Sequence, residues 1–122
     1  MLKALMLVSG WIEVLFGLSA LFAPLPVVEA VGGLGADTPT LTLIRLLGAA
    51  TLGLGVGALI GRNHLETQGG LAAAYGLGLY NVLGAVALIL GAATTGSAGL
   101  WGGAVLHAVI GLLFVYAFVV RR

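Results

Sequence analysis

Four apolar runs, at positions 4–23, 41–61, 71–92 and 99–120, occupy most of this chain, and each is about 20 residues long. At ~1.5 Å per residue, a run of this length makes a helix of ~30 Å, the thickness of a bilayer's hydrocarbon layer. The runs are too long for barrel strands, and none alternates polar and apolar residues with period two. Only 7% of the chain is charged while 61% is hydrophobic. A soluble domain carries about 25% charged residues and does not tolerate apolar patches as large as this chain would expose in water. The expected fold is therefore all-α: an integral membrane four-helix bundle, up-down-up-down, forming a single transmembrane domain over residues 1–122.

The breakers fall between the runs. Pro24, Pro26, Gly32, Gly33, Gly35, Asp37 and Pro39 mark a long first loop over 24–40, within which 27–31 reads as a short interfacial helix. Arg62, Asn63, His64 and Glu66 with Gly69 and Gly70 mark the second loop, and Thr94 to Ser97 a tight third turn. Thr38 or Thr40 is positioned to cap the second long helix, with Pro39 in its first turn. The first run is longer than the ~7–15 residues of a secretory signal core, so it reads as a membrane helix. Lys3, Arg62, Arg121 and Arg122 fall at the end shared by the termini and loop two, while the opposite end carries Glu29 and Asp37. That bias predicts both termini on the cytoplasmic side of a multi-pass protein of the cell (inner or plasma) membrane. With no cysteine, disulfides, Fe–S clusters and thiolate zinc sites are excluded. No basic run interleaved with aromatics points to nucleic acid.

Each run holds one strongly polar residue: Glu13, Arg45, Asn81 and His107. Ionisable groups in a membrane cost ~2.5 kcal/mol or more, so they face the bundle and seek partners. Gly10 and Gly17 flank Glu13, Gly48 and Ala49 follow Arg45, Gly78 and Gly84 flank Asn81, and Gly103 and Gly111 flank His107. Residues three or four apart share a helix face, which places all four polar groups on small-residue faces suited to helix packing. The expected arrangement is a Glu13–Arg45 ion pair completed by Asn81 and His107, with Tyr80 and Trp11 lining the same cluster. The pair would keep Glu13 ionised, whereas an unpaired buried carboxyl keeps its proton. The plainer reading of the cluster is interhelical glue at about 0.6 kcal/mol per hydrogen bond.

The second run also carries Gly53-xxx-Gly57-xxx-Gly61, a close-packing stripe expected to act within the fold, or otherwise in a homodimer. Trp101 and Tyr116 fit interfacial belts near helix ends. His64 sits in loop two, far from His107, which argues against a bis-histidine haem. One buried histidine with one glutamate is too few for a metal site. No cofactor is called for; a lipid or a quinone is the ligand class such a cluster would line a pocket for.

Residues 17–24 read Gly-Leu-Ser-Ala-Leu-Phe-Ala-Pro, a glycine-rich outer loop follows, and Arg45-Leu-Leu-Gly48-Ala49 opens the second long helix. In this layout the chain resembles the small DoxX-like four-helix membrane proteins of bacteria. The resemblance implies a fold, and through some members a link to quinone or redox complexes, but carries over no catalytic residue. Glu13-Val14 is also similar to the early glutamate of small multidrug-resistance transporters. The strong charge bias, the long first loop and an arginine expected beside Glu13 depart from that pattern. Three roles follow. The favoured one is a subunit or accessory of a larger membrane complex embedded in the lipid bilayer, with the polar cluster structural or lining a lipid- or quinone-like pocket; a homo-oligomer is the alternative assembly. The second is a proton-coupled transporter of small amphipathic solutes using Glu13. The third is a membrane-embedded enzyme with Glu13 and His107 as acid and base on a lipid-like substrate.

Overall fold

The computed structural model describes residues 1–121, and among them are five helices: α1 (Leu2–Phe22), α2 (Pro24–Ala30), α3 (Thr38–Gly61), α4 (Gln68–Thr95) and α5 (Ala98–Val120). Arg122, one of the four residues behind the expected charge bias, lies outside the described residues. Helices α1, α3, α4 and α5 are each long and apolar enough to cross a membrane. The chain is a small integral membrane protein built as a helical bundle.

Local chemistry sets where these helices begin. Asp37 accepts a hydrogen bond from the Thr40 amide at 2.9 Å and so caps α3. The cap is thus Asp37 rather than Thr38 or Thr40, because a carboxylate one residue ahead of the first turn reaches the third helical N–H. Thr67 caps α4 through the Gly70 amide at 3.1 Å, and Ser97 caps α5 through the Leu100 amide at 3.3 Å. Gly96 ends α4 in the left-handed region, at φ 70°, where a residue without Cβ is favoured. The short helix of the first loop begins earlier than 27–31 because Pro24 starts it, its missing N–H costing nothing at the first helical position. Its far end is pinned to the α4–α5 turn, where the Ser97 hydroxyl donates to the Val31 carbonyl at 2.6 Å.

The long helices pack as two intimate pairs, α1 with α3 and α4 with α5, joined by a lesser α3–α4 contact and slighter contacts of α1 with α4 and α5. Between α1 and α3 the backbones touch. A methyl group at Gly17 would lie 2.6 Å from the Leu52 nitrogen and 2.8 Å from the Gly48 oxygen. One at Gly55 would lie 2.7 Å from the Gly10 oxygen. These contacts make the two helices antiparallel and fix their register. At the end shared by the terminal residues and loop two, Leu2, Met6, Ala58, Leu77, Ile110 and Phe114 belong to one buried apolar cluster.

The pattern of burial suits a bilayer. The fully buried large side chains include Glu13, Asn81, Thr51 and Ser9, while Leu46, Ile60, Leu83, Leu112 and Val119 stand more than half exposed. Apolar groups outward and polar groups inward is the arrangement that lipid, not water, stabilises.

Candidate functional site

The polar groups meet where the two helix pairs face each other. Glu13 lies on α1 beside the glycine seam with α3 and is 2% exposed. Asn81, on α4, is completely buried. Its amide nitrogen donates to the Leu77 carbonyl at 2.9 Å and reaches the Ser9 hydroxyl at 3.4 Å. A backbone carbonyl only accepts, so this contact fixes which end of the amide is nitrogen. The Asn81 oxygen must then point at His107 Nδ1, 3.0 Å away. His107 therefore donates from Nδ1–H, which leaves Nε2 as the free acceptor of the neutral ring. The Tyr80 ring stands edge-on to His107, with centroids 5.4 Å apart and planes at 76°. The Tyr80 hydroxyl approaches the Glu13 carboxyl group, short of a fully formed hydrogen bond. Glu13 Oε1 is buried and has no hydrogen-bond partner.

Four of the residues singled out from sequence thus come together: Glu13, Tyr80, Asn81 and His107. Ser9 joins them and was missed, although it lies four residues before Glu13 and hence on the same helix face.

Arg45 does not join. It is exposed, and the expected Glu13–Arg45 ion pair is not formed. The cause is register: Gly17 lies against Gly48, and Val14 against Gly55. Arg45 therefore sits at least seven residues, or ~10 Å, from the level of Glu13. Trp11 is also outside the cluster, at 52% exposure, because two residues along a helix turn it to the opposite side from Glu13. The Gly53-xxx-Gly57-xxx-Gly61 stripe divides as well. A methyl group at Gly53 or Gly57 would meet nothing within 4 Å, whereas one at Gly61 would lie 2.8 Å from Ala73 Cβ. Only Gly61 packs within the fold, while Gly48 and Gly55 make the seam.

Two cavities lie elsewhere in the bundle, away from this cluster. One lies at the terminal end of the bundle and the other in an apolar groove between α4 and α5, and neither is lined by Glu13, Tyr80, Asn81 or His107. Among the described residues no three His, Cys, Asp or Glu side chains converge as metal ligands. What the arrangement offers chemically is one buried carboxyl with a free oxygen, next to a phenol and a hydrogen-bonded imidazole. Comparison with known protein families, with curated proteins and with solved structures found nothing that matches this chain.

Proposed function

We propose that this multi-pass membrane protein carries a proton on Glu13 and exchanges it for a small amphipathic solute, acting as a proton-coupled transporter. The observation that carries the reading is the buried Glu13 oxygen without a hydrogen-bond partner, in a carboxyl group with no arginine beside it. A carboxylate at that depth, with only the Tyr80 hydroxyl near it, is too costly to persist. The group keeps a proton until a cation takes its place. Two positive occupants competing for one carboxyl is the elementary requirement of coupled exchange, and charge complementarity makes an amphipathic cation the fitting solute. The departure of Arg45 from the cluster removes the main objection to such a role.

The cluster is closed in this structure, so exchange requires the α1–α3 pair to shift against α4–α5. The slightness of the α1 contacts with α4 and α5 favours that movement. The charge bias supports an orientation with Lys3, Arg62 and Arg121 toward the cytoplasm of an inner or plasma membrane.

Purified protein in liposomes, with a pH-sensitive dye inside and tetraphenylphosphonium as probe cation, tests the reading. Wild type should move protons when the cation is added, Glu13→Gln should not, and Arg45→Gln should behave as wild type with unchanged thermal stability. Proton movement that survives in Glu13→Gln, or that is absent from wild type with every cation tried, rejects the proposal.

A second reading draws on a different surface. A methyl group at Gly53 or Gly57 would meet nothing within 4 Å on the same helix that exposes Arg45, which favours a role as subunit of a larger membrane complex or homo-oligomer, in keeping with the resemblance to DoxX-like proteins. Native mass spectrometry of gently extracted protein separates the two: stoichiometric larger partners support this reading, and a chain arriving alone rejects it.

A further inference from the structure

The terminal end of the bundle holds a cavity of about 360 Å³, remote from Glu13 and lined among others by Leu2, Lys3, Leu65, Ala117, Val120 and Arg121. Its walls are of two kinds. Leu2 and Ala117 are buried members of the apolar cluster, so the floor of the cavity is the end of the hydrophobic core. Lys3 and Arg121 supply two cations, and among the described residues no carboxylate lines the cavity. Glu66, beside Leu65 in sequence, is exposed and takes no part in the lining.

Arg121 is held in place. One of its terminal nitrogens donates to the Leu65 carbonyl at 2.7 Å, which ties the end of α5 to loop two. A guanidinium carries five N–H donors in a planar fork, so this bond leaves others free. That fork matches phosphate oxygens, and a flexible ammonium adds a second charge. The site stands at the ends of membrane helices, where lipid headgroups lie.

We propose that this cavity is a binding site for an anionic phospholipid. Lys3 and Arg121 take the phosphate, and the apolar floor takes the first methylenes of an acyl chain. An apolar floor distinguishes a lipid from free phosphate, and two cations with no carboxylate among the described lining residues favour an acidic headgroup over a zwitterionic one.

The test uses the whole chain, purified in neutral detergent and stripped of lipid, with short-chain phosphatidylglycerol, short-chain phosphatidylcholine and inorganic phosphate as probes. Binding is read by native mass spectrometry and by thermal shift. Phosphatidylglycerol should bind roughly tenfold or more tighter than phosphatidylcholine. Lys3→Gln with Arg121→Gln should erase that preference, while Arg62→Gln, at the same end but outside the lining, should keep it. Should Arg121→Gln fail to fold for loss of its Leu65 contact, Lys3→Gln alone must still reduce the preference several-fold. Equal binding of the two lipids by wild type overturns the proposal. So does a loss in Arg62→Gln as large as in Lys3→Gln, which would mean diffuse charge attraction. Inorganic phosphate competing as well as the lipid would leave a simple anion site and no lipid site.

Discussion

The two helix pairs solve the same packing problem differently. Between α1 and α3 glycine meets backbone: a methyl group at Gly48 would lie 2.7 Å from the Leu21 nitrogen, and one at Gly17 2.6 Å from the Leu52 nitrogen. Between α4 and α5 glycine meets mostly side chains, with Gly78 facing Phe114 Cβ at 3.2 Å and Gly84 facing His107 Nδ1 at 3.3 Å from the place a methyl would occupy, while a methyl at Gly111 would meet the Val82 side chain at 3.0 Å and its backbone nitrogen at 3.2 Å. Lipid offers no hydrophobic drive for helices to associate, so close van der Waals contact and hydrogen bonds hold such a bundle. The first pair gets its cohesion from backbone approach and cannot yield. The second gets it largely from side chains that can move, and these include the imidazole that bonds Asn81. The polar cluster thus joins one rigid wall, carrying Glu13, to one adjustable wall, carrying Tyr80, Asn81 and His107.

The largest expected effect breaks the rigid wall. Gly17→Val places its branches where the α3 backbone runs, and relief requires the whole pair to separate. Overpacking of a close contact costs about 1–3 kcal/mol, and more where nothing can give way, so the variant should unfold early in detergent or fail to assemble. Gly53→Ala, facing open space, should stay within ~0.5 kcal/mol of wild type or gain slightly from helix propensity. Thermal unfolding of the two variants in one detergent checks both. If Gly17→Val is tolerated as well as Gly53→Ala, the backbone contact does not hold the bundle. If Gly53→Ala destabilises, the outer face of α3 is covered by another chain.

The same contrast explains what could be read from sequence. The four spans were legible because crossing a hydrocarbon layer demands length and apolarity, both of which are one-dimensional. Glu13, Asn81 and His107 were legible as a group because each stands among small residues on one face. Arg45 has the same local signature, yet its depth relative to Glu13 depends on the register of α1 against α3. That register is fixed by Gly10 and Gly17 meeting Gly55 and Gly48. Both glycine pairs are spaced by seven residues, the repeat that keeps a packing seam in line along two helices. The four-residue spacing of Gly53, Gly57 and Gly61 drew attention instead, though a seam of this kind is marked by sevens. Trp11 was misplaced for a simpler reason, since nearness in sequence is not nearness on a helix surface.

A smaller effect probes the adjustable wall. Gly84→Ala puts a methyl group 3.3 Å from His107 Nδ1, close enough to push the ring without meeting backbone. The ring can tilt, so the expected cost is that of weakening one interhelical hydrogen bond, about 0.6 kcal/mol. Nitrogen NMR of the imidazole should show the Nδ1–H tautomer in wild type and a shifted Nδ1 resonance in Gly84→Ala. A thermal cost equal to that of Gly17→Val would mean that α4 and α5 yield no more than α1 and α3 do. An Nε2–H tautomer in wild type would mean that the Asn81–His107 bond is not the one described.

The smallest effect distinguishes the pairs at the end of the bundle opposite the termini. Helix α3 is capped by a carboxylate, Asp37, and α5 by a hydroxyl, Ser97. The Thr40 hydroxyl and amide beside Asp37 hold its carboxyl below the usual carboxylate range. A group whose folded pKa is depressed contributes stability that is full above its ordinary value and is lost as pH falls through the folded value. Acidification into and below the ordinary carboxylate range should therefore loosen the first turn of α3, while the first turn of α5 keeps a cap that does not titrate. Hydrogen exchange at the Thr40 and Leu100 amides, compared over that pH range after correction for intrinsic rates, reads the difference directly. Protection should fall at Thr40 and hold at Leu100, and Asp37→Asn should make the two respond alike. Because Asp37 is fully exposed, the loosening should stay within that turn and leave the Gly17–Gly48 seam untouched; a bundle that unfolds as a whole over the same pH range would tie the rigid pair's stability to its cap instead of to its glycines.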